Sequence, residues 1–174
     1  DAFSGTARLT SPGVVEIRAE GKPVVTVKGK HVILSTGARP RSIPGVTIDR
    51  KRVISSMEAM SLTQQPQSMI IIGAGAIGIE FAYFYNTLRT KVTVVEMLPR
   101  LLSGIDEDLV RVVERRFTQA GGEVLLNARA KSAVVQNGHA AVSVEHDGQT
   151  RVLECDKVLV AVGFRPNSRE LGLG

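Results

Sequence analysis

The sequence predicts an α/β fold in which helices pack on a parallel sheet and additional strands form a β-meander. Two observations support this fold class. Continuous apolar runs at residues 69–72 and 157–163 are typical of strands that are buried on both faces. Shorter β-branched segments, separated by Gly, Pro, Asn and Asp, occupy the beginning of the chain and most of residues 123–154, as expected for antiparallel strands joined by turns.

The first 45 residues are predicted to form a small antiparallel meander. β-Branched segments predict strands at residues 14–18, 24–28 and 31–35, with turn residues between them. The stretch that follows contains Gly37, Pro40 and Pro44, which interrupt a strand and favour a stiff, extended path. Such a path is typical of a connector between domains.

A glycine-rich turn, Gly73-Ala-Gly75-Ala-Ile-Gly78, lies at the centre of the chain. A short helix at residues 55–60 is predicted before it, with Ser55 or Ser56 as the cap. The first glycine permits a tight turn, the second allows backbone to approach a pyrophosphate, and the third allows a helix to pack closely on a strand. The apolar positions after Gly78 predict that helix, to about Leu88.

A second apolar strand at residues 91–96 ends in Glu96, 18 residues after Gly78. This spacing is close to the roughly 20 residues expected for an acid that binds the ribose of a dinucleotide. The βαβ unit and its acid therefore predict a Rossmann-like, dinucleotide-binding parallel sheet. The alternative is an ordinary strand-to-helix turn with Glu96 as a solvated charge at the strand end.

The remaining elements continue this pattern. A loop is predicted at residues 97–104 and an amphipathic helix at residues 106–120, ended by Gly121 and Gly122. The following strands are predicted at residues 123–127, 133–136, 141–145 and 151–154, with turns at Asn137-Gly138 and Asp147-Gly148. The first of these strands joins the parallel sheet, and the buried strand at 157–163 leads the chain out of the domain.

Composition excludes several classes of function. The net charge of +5 is spread among acids without a basic run, so no nucleic-acid partner is expected. No apolar stretch reaches the length of a membrane span, and the start of the chain does not have the pattern of a signal peptide. Because the chain starts at Asp1 rather than Met, we expect a processing or excision boundary there. The single cysteine, Cys155, is predicted to be a structural thiol, and the scattered histidines predict no metal site.

Three landmarks, in this order, resemble the two-dinucleotide flavoprotein disulfide reductases of the pyridine nucleotide-disulfide oxidoreductase family. They are the strand end Ser35-Thr-Gly-Ala38, the run from Gly73 to Glu80 with Glu96, and the segment 160–167, Val-Ala-Val-Gly-Phe-Arg-Pro-Asn. Within the family, residues 75–85 and 93–102 are most similar to the dihydrolipoamide dehydrogenases. The resemblance implies a partial, incomplete antiparallel β-meander of an FAD domain at residues 1–45, an NAD-binding domain with a leading crossover at 46–163, and the start of the returning FAD-domain segment at 164–174.

The resemblance also implies cofactor-binding residues. Glu96 would hold the adenosine ribose of NAD, Ala130 would contact the adenine, and Ile77 and Glu80 would lie near the nicotinamide. For Ile77 and Ala130, plain packing is an equally good interpretation, and Phe164 departs from the arginine that is frequent at its place. The full implied set for NAD is Gly73, Ala74, Gly75, Ala76, Ile77, Gly78, Ile79, Glu80, Glu96, Ala130 and Gly163, and for FAD it is Thr36, Gly37, Ala38 and Ala7.

Glu96 predicts NAD rather than NADP, since its carboxylate would accept ribose hydroxyls and repel a 2′-phosphate. Met97 and Ser103 occupy places where relatives that use NADP carry basic residues, although Arg100 is close by.

By resemblance, the parent enzyme would be a homodimer of the cytoplasm, or of the mitochondrial matrix in a eukaryote. It would oxidise the dihydrolipoamide of a lipoyl-bearing subunit in a 2-oxo-acid dehydrogenase complex and pass hydride through FAD to NAD. The chain itself would bind NAD(H) without catalysis, because it has no cysteine pair and no other predicted catalytic residue. The alternatives are a mercuric or glutathione reductase-like enzyme, a transhydrogenase, or a non-catalytic NAD-binding module.

Overall fold

The computed structural model describes residues 1–136 and 138–173. Its helices and strands are, in chain order, β1 (Thr6–Ser11), β2 (Val14–Arg18), β3 (Val25–Lys28), β4 (Ala38–Pro40), β5 (Val53–Ile54), α1 (Ser56–Ala59), β6 (Ser68–Ile72), α2 (Ala76–Thr87), β7 (Lys91–Val95), α3 (Glu107–Gln119), β8 (Glu123–Leu125), β9 (Arg129–Gln136), β10 (His139–His146), β11 (Gln149–Cys155), β12 (Lys157–Val160) and β13 (Phe164–Pro166).

The chain divides into two compact units, one formed by residues 1–39 with the segment from Arg165 onward, and one formed by residues 40–164. β4 and β13 pair with each other, and in each of these strands the chain passes from one unit to the other. The domain limits predicted at residues 45 and 163 stay a prediction.

The first unit contains an antiparallel sheet in the order β1-β2-β3. The predicted strands at 14–18 and 24–28 are confirmed as β2 and β3, whereas β1 was not predicted. The returning segment reaches this sheet, because the amide of Leu9 in β1 donates to the carbonyl of Leu171 at 2.8 Å.

The strand predicted at residues 31–35 is wrong. These residues have no regular secondary structure, and Ile33 is 90% exposed. β-Branched residues favour a strand only where a neighbouring strand can pair with them and other side chains can cover them. Among the described residues no strand pairs with this stretch, so its local preference for β-structure has no effect.

The second unit is built on a five-stranded parallel sheet in the order β5-β12-β6-β7-β8. The predicted βαβ unit is confirmed as β6, α2 and β7, and the predicted strands at 123–127 and 157–163 are confirmed as the shorter β8 and β12. The edge strand β5 was not predicted because two residues carry no detectable periodicity.

Alternate residues of the central strand β6 contribute to two separate hydrophobic cores, as a strand buried on both faces requires. Met69 and Ile71 pack with residues of α2 and α3, including Tyr85 and Phe117. Ile70 and Ile72 belong to the opposite core, which contains β10 residues such as Val142. The unit therefore has three layers: the helices, the parallel sheet, and the antiparallel meander of β9, β10 and β11. The predicted α/β fold class is confirmed.

Local signals determined most of the helix and turn boundaries. The Ser55 hydroxyl and the Glu58 carboxylate form a reciprocal capping box at α1, and Asp106 accepts the amide of Asp108 at the start of α3. The β10–β11 turn has positive φ at both Asp147 and Gly148, which is the geometry that an Asp-Gly hairpin predicts. Of the predicted turn at Asn137-Gly138, Asn137 lies outside the described residues.

Cys155 is buried in the core between the sheet and the meander, 3% exposed, and its thiol donates to the carbonyl of Lys157. Burial raises the pKa of this thiol to about 11, so it carries little thiolate near neutral pH. The described part of the chain contains no group of three or more His, Cys, Asp or Glu placed to hold a metal, and none of its helices has the length and apolarity of a membrane span.

Candidate functional site

The carboxyl ends of four neighbouring parallel strands meet at one edge of the sheet in the second unit. The glycine turn follows β6, Glu96 follows β7, residues 126–128 follow β8, and Gly163 lies just beyond β12. In open α/β sheets, ligands bind in the crevice outside these ends. A cavity of about 700 Å³ lies there, within the usual range for ligand pockets. Its walls are Ile43, Pro44, Ile72, Gly73, Gly75, Ala76, Ile77, Val95, Glu96, Met97, Leu98, Ala128, Arg129, Ala130, Lys131, Ala161, Val162 and Gly163.

Two glycines of the turn are required by close backbone contacts. Gly73 has φ +101°, and a Cβ placed on it would lie 2.7 Å from the carbonyl oxygen of Ala161. A Cβ on Gly78 would collide with the carbonyl oxygen of Gly73. Gly73 therefore permits the turn, and Gly78 permits the first turn of α2 to pack against the end of β6.

The middle glycine, Gly75, differs from the other two. A Cβ placed on it would meet no atom within 4 Å, and its φ of −71° is accessible to any residue. The space beside Gly75 is the cavity, because Gly75 lies in its wall. Nothing in the protein's own packing therefore requires glycine at this position.

The N-terminus of α2 faces the cavity with unsatisfied amides. Gly75 is the N-cap and provides no side-chain hydrogen bond, and the first turn contains no acidic residue. Within the described residues, the amides of Ala76 and Ile77 have no acceptor. Both residues line the cavity. These free N–H groups and the positive end of the helix dipole are suited to a phosphate.

Glu96 connects the glycine turn to the next loop. Its Oε2 accepts the amide of Ala74 at 2.7 Å, and its Oε1 accepts the amide of Leu98 at 2.8 Å. A carboxylate has about four acceptor positions, so two remain for hydroxyl groups of a ligand. The half-buried Glu96 thus presents fixed acceptors to the cavity.

Backbone hydrogen bonds hold the β8–β9 loop beside Glu96. The amide of Ala128 donates to the carbonyl of Glu96 at 2.9 Å, and the amide of Asn127 donates to the carbonyl of Leu98 at 3.1 Å. Ala130 follows in β9 and is 7% exposed. Ala128 and Ala130 give the wall an apolar surface close to the acid, and the cations Arg129 and Lys131 beside them also line the cavity. An apolar surface of this kind suits a flat ring adjacent to a group that Glu96 binds.

Seven of the eleven residues that the resemblance assigns to NAD line the cavity: Gly73, Gly75, Ala76, Ile77, Glu96, Ala130 and Gly163. The other four do not line it. Ala74 is buried behind the turn, Gly78 and Ile79 face the sheet, and Glu80 is exposed on α2. The structure therefore places Ala74, Gly78 and Ile79 as supporting residues of the turn.

The residues that the resemblance assigns to FAD lie in the first unit and do not line this cavity. The Thr36 hydroxyl donates to the carbonyl of Asn167 at 2.8 Å, and the Asn167 side-chain amide donates to the carbonyl of Thr36 at 3.1 Å. The backbone amide of Asn167 donates to Gly37 at 3.0 Å. Ala38 follows in β4, whereas Ala7 lies in β1 and is exposed.

Sequence reasoning missed cavity residues that carry no motif. Ile43 and Pro44 belong to the predicted connector, and Leu98, Arg129 and Lys131 lie in or after loops. For Leu98, Arg129 and Lys131, the position after the ends of β7 and β8 could have been a signal, since both strands were predicted and the carboxyl ends of parallel strands lie at the same edge. Ile43 and Pro44 carry no such signal.

The chain matches one protein-family model, described as pyridine nucleotide-disulphide oxidoreductase, over residues 4–173. Among curated proteins, it is 35% identical to a dihydrolipoyl dehydrogenase of Rhizobium etli, with 99% of this chain and 39% of the relative covered. It is 36% identical to a mitochondrial dihydrolipoyl dehydrogenase of Caenorhabditis elegans, with 97% of this chain and 35% of the relative covered. The chain thus spans well under half the length of the curated relatives that it matches.

Solved structures superpose on nearly the whole chain. LpdA of Mycobacterium tuberculosis superposes with a TM-score of 0.86 at 28% identity, covering 98% of this chain and 38% of that one. The HOCl-induced flavoprotein disulfide reductase RclA of Escherichia coli superposes with a TM-score of 0.82 at 25% identity, covering 98% and 38%. Because the family model matches nearly the entire sequence, this chain belongs to the pyridine nucleotide-disulphide oxidoreductase family.

Proposed function

We propose that this chain is the NAD-binding portion of an FAD-dependent dihydrolipoamide dehydrogenase. The observation that carries the proposal is the position of Glu96, whose two carboxylate oxygens lie between the glycine turn and the following loop at the wall of the cavity. In this proposal the pyrophosphate lies on the free amides of Ala76 and Ile77, and the adenosine lies between Glu96 and Ala130. The nicotinamide end lies toward Ile77, Glu80 and Gly163.

The dimensions and chemistry of the cavity fit this cofactor. Open space beside Gly75 lets a phosphate approach the backbone, and the first turn of α2 contains no acidic residue that would repel it. The cavity volume of about 700 Å³ is within the range of small-molecule and cofactor sites.

Glu96 supports NAD as the cofactor. A hydrogen bond between a ribose hydroxyl and an ionised carboxylate contributes about 1.5–3 kcal/mol, and a 2′-phosphate at the same place meets a like charge. Two cations near the site are engaged elsewhere: the Arg100 guanidinium donates to the carbonyls of Ser103 and Ile105, and the Lys131 ammonium forms an ion pair with Glu145.

For the first unit, we propose that backbone at Thr36, Gly37 and Ala38 contacts FAD, together with Ala7. The hydrogen bonds between Thr36, Gly37 and Asn167 support this role, since they fix the backbone of the segment. When bound, FAD supplies two-electron transfer between a dithiol and a nicotinamide. The chain's own contribution is to hold the nicotinamide in position for that transfer, where an error of about 1 Å can cost roughly a hundredfold in rate.

The proposal extends to the whole protein. The whole protein is proposed to be a homodimer of the cytoplasm, or of the mitochondrial matrix in a eukaryote. It is proposed to oxidise dihydrolipoamide on the lipoyl-bearing subunit of a 2-oxo-acid dehydrogenase complex. The chain alone does not catalyse this reaction. Its one cysteine, Cys155, is buried and cannot form an intramolecular redox disulfide with a second cysteine.

An enzymatic assay tests this assignment. A full-length polypeptide that contains this chain, loaded with FAD, is expected to reduce NAD⁺ when dihydrolipoamide is added, as followed by absorbance at 340 nm. With NADP⁺, kcat/KM is expected to fall at least about tenfold, since loss of one charged hydrogen bond corresponds to that factor or more. The 174-residue chain alone is expected to give no turnover under the same conditions.

The same assay distinguishes the alternatives. Turnover of oxidised glutathione or Hg²⁺ with NADPH, in place of dihydrolipoamide with NAD⁺, would assign the protein to another branch of the family. NADH binding by a full-length polypeptide that turns over none of these substrates would indicate a non-catalytic NAD-binding module.

A further inference from the structure

The loop at residues 97–105 is closed on itself by one side chain. Nη2 of Arg100 donates to the carbonyl oxygen of Ser103 at 2.7 Å and to that of Ile105 at 2.9 Å. The amide of Ile105 in turn donates to the carbonyl of Leu102 at 2.8 Å. Arg100 is only half-buried, yet its guanidinium is engaged by its own loop rather than extended into solvent.

The residues enclosed by these bonds hold the glycine turn. Leu101 is 0% exposed and belongs to the core beneath the helices. The amide of Leu102 donates to the carbonyl of Ala74 at 2.9 Å. To reach it, Leu102 adopts φ +46°, a conformation that a leucine rarely adopts without support from its surroundings. The two carbonyls that Arg100 binds belong to Ser103, which directly follows Leu102, and to Ile105, three residues after Leu102.

Ala74 is therefore fixed at both of its peptide groups. Its amide donates to Glu96 Oε2, and its carbonyl accepts the amide of Leu102. These two bonds set the planes of the peptide units before and after Ala74. The second of those units carries the amide of Gly75, next to the free amides of Ala76 and Ile77.

We propose that Arg100 is a positioning residue of the dinucleotide site. By closing the loop around Leu102 it holds the Ala74 carbonyl, and through Ala74 it orients the amides of the glycine turn toward the pyrophosphate. This inference rests on the proposed function. In this role Arg100 supports the binding of NADH and NADPH equally, whereas a cation that binds the 2′-phosphate would support the binding of NADPH alone.

Arg100→Met, which keeps an unbranched apolar side chain without the donors, tests the inference. Arg115→Met is the matched control, since Arg115 is exposed on α3 away from the loop. Each variant of the 174-residue chain is compared with the parent in thermal unfolding, in hydrogen exchange at the Leu102 amide without ligand, and in titrations with NADH and NADPH. Arg100→Lys, which keeps a charged donor, serves as the conservative variant and replaces Arg100→Met if that protein does not fold.

Arg100→Met is expected to accelerate exchange at Leu102 by about tenfold or more, as expected when local opening becomes easier. It is expected to weaken NADH and NADPH by the same factor, about tenfold, and Arg115→Met to change neither. Arg100→Lys is expected to recover part of both effects. Loss of NADPH binding with unchanged NADH binding would assign Arg100 to the 2′-phosphate, and unchanged exchange at Leu102 would also overturn the inference. Failure of the parent chain to bind either dinucleotide, when its thermal unfolding shows that it is folded, would instead refute the proposed function.

Discussion

Replacing Glu96 by arginine is expected to weaken NADH binding by about a hundredfold or more. The substitution removes the carboxylate that is proposed to accept the ribose hydroxyls, which corresponds to the loss of one or two charged hydrogen bonds of about 1.5–3 kcal/mol each. It also places a cation where a 2′-phosphate would lie, so the ratio of NADPH to NADH affinity is expected to rise. Fluorescence titrations with the two dinucleotides measure both changes.

Glu96→Gln separates the charge from the shape of the side chain. Its single carbonyl oxygen can accept the amide of Ala74 or that of Leu98, but not both in the present geometry. We expect a loss of NADH affinity of about tenfold and a decrease in the free energy of unfolding of about 1 kcal/mol, because one backbone amide loses its partner. Glu154→Gln, at an exposed position of β11, is the control and should change neither quantity. Full NADH affinity in Glu96→Arg would show that the acid does not contact the cofactor.

Substitutions at two glycines of the same turn are expected to affect different properties: Gly78→Ala lowers the stability of the fold, and Gly75→Ser lowers the affinity for NADH. Gly78→Ala places a methyl group against the carbonyl oxygen of Gly73, which belongs to the backbone and cannot rotate away. Overpacking of this kind costs about 1–3 kcal/mol or more, so we expect a large decrease in the free energy of unfolding. Urea or thermal unfolding followed by circular dichroism measures this effect.

Gly75→Ser is expected to leave the fold intact and to impair binding. The backbone there has φ −71° and no protein atom lies near the added group, and serine is a favoured N-cap residue. Stability should therefore change by less than about 0.5 kcal/mol, whereas NADH affinity should fall about tenfold or more, because the side chain fills phosphate space and takes up an amide of the helix N-terminus. Unchanged affinity in Gly75→Ser would place the pyrophosphate elsewhere.

The sequence was sufficient to predict the elements whose signals are local. The βαβ unit follows from an apolar run, three spaced glycines and a second apolar run, and the caps Ser55 and Asp106 mark helix starts through their own side chains. Glu96 was identified for the same reason, since a strand end and a spacing define it. The structure then brought Glu96 and Gly163 to one edge of the sheet because parallel strands align their carboxyl ends, and Ala130 lines the same cavity from the antiparallel strand β9.

Features that depend on contacts between distant residues were not predictable. The stretch around Ile33 has the composition of a strand but pairs with no strand in the part of the chain that the structure describes, whereas β1 has a partner in β2 and a weaker local preference. The hydrogen bond from Leu102 to Ala74 joins residues that are 28 positions apart, and Leu102 has a positive φ where it forms this bond. No residue type in either segment indicates that contact. Ile43 and Pro44 likewise reach the cavity through tertiary packing alone.

The most direct test of the account is a titration of the 174-residue chain with NADH and, separately, with NADPH, followed by the fluorescence of the reduced nicotinamide. The chain contains no tryptophan, so protein emission interferes little. We predict saturable binding of NADH that is at least about tenfold tighter than that of NADPH, as expected from one charged hydrogen bond in favour of the ribose hydroxyl and repulsion of the 2′-phosphate. Tighter binding of NADPH, or no binding of either dinucleotide by a chain that circular dichroism shows to be folded, would contradict an NAD site at the ends of these strands.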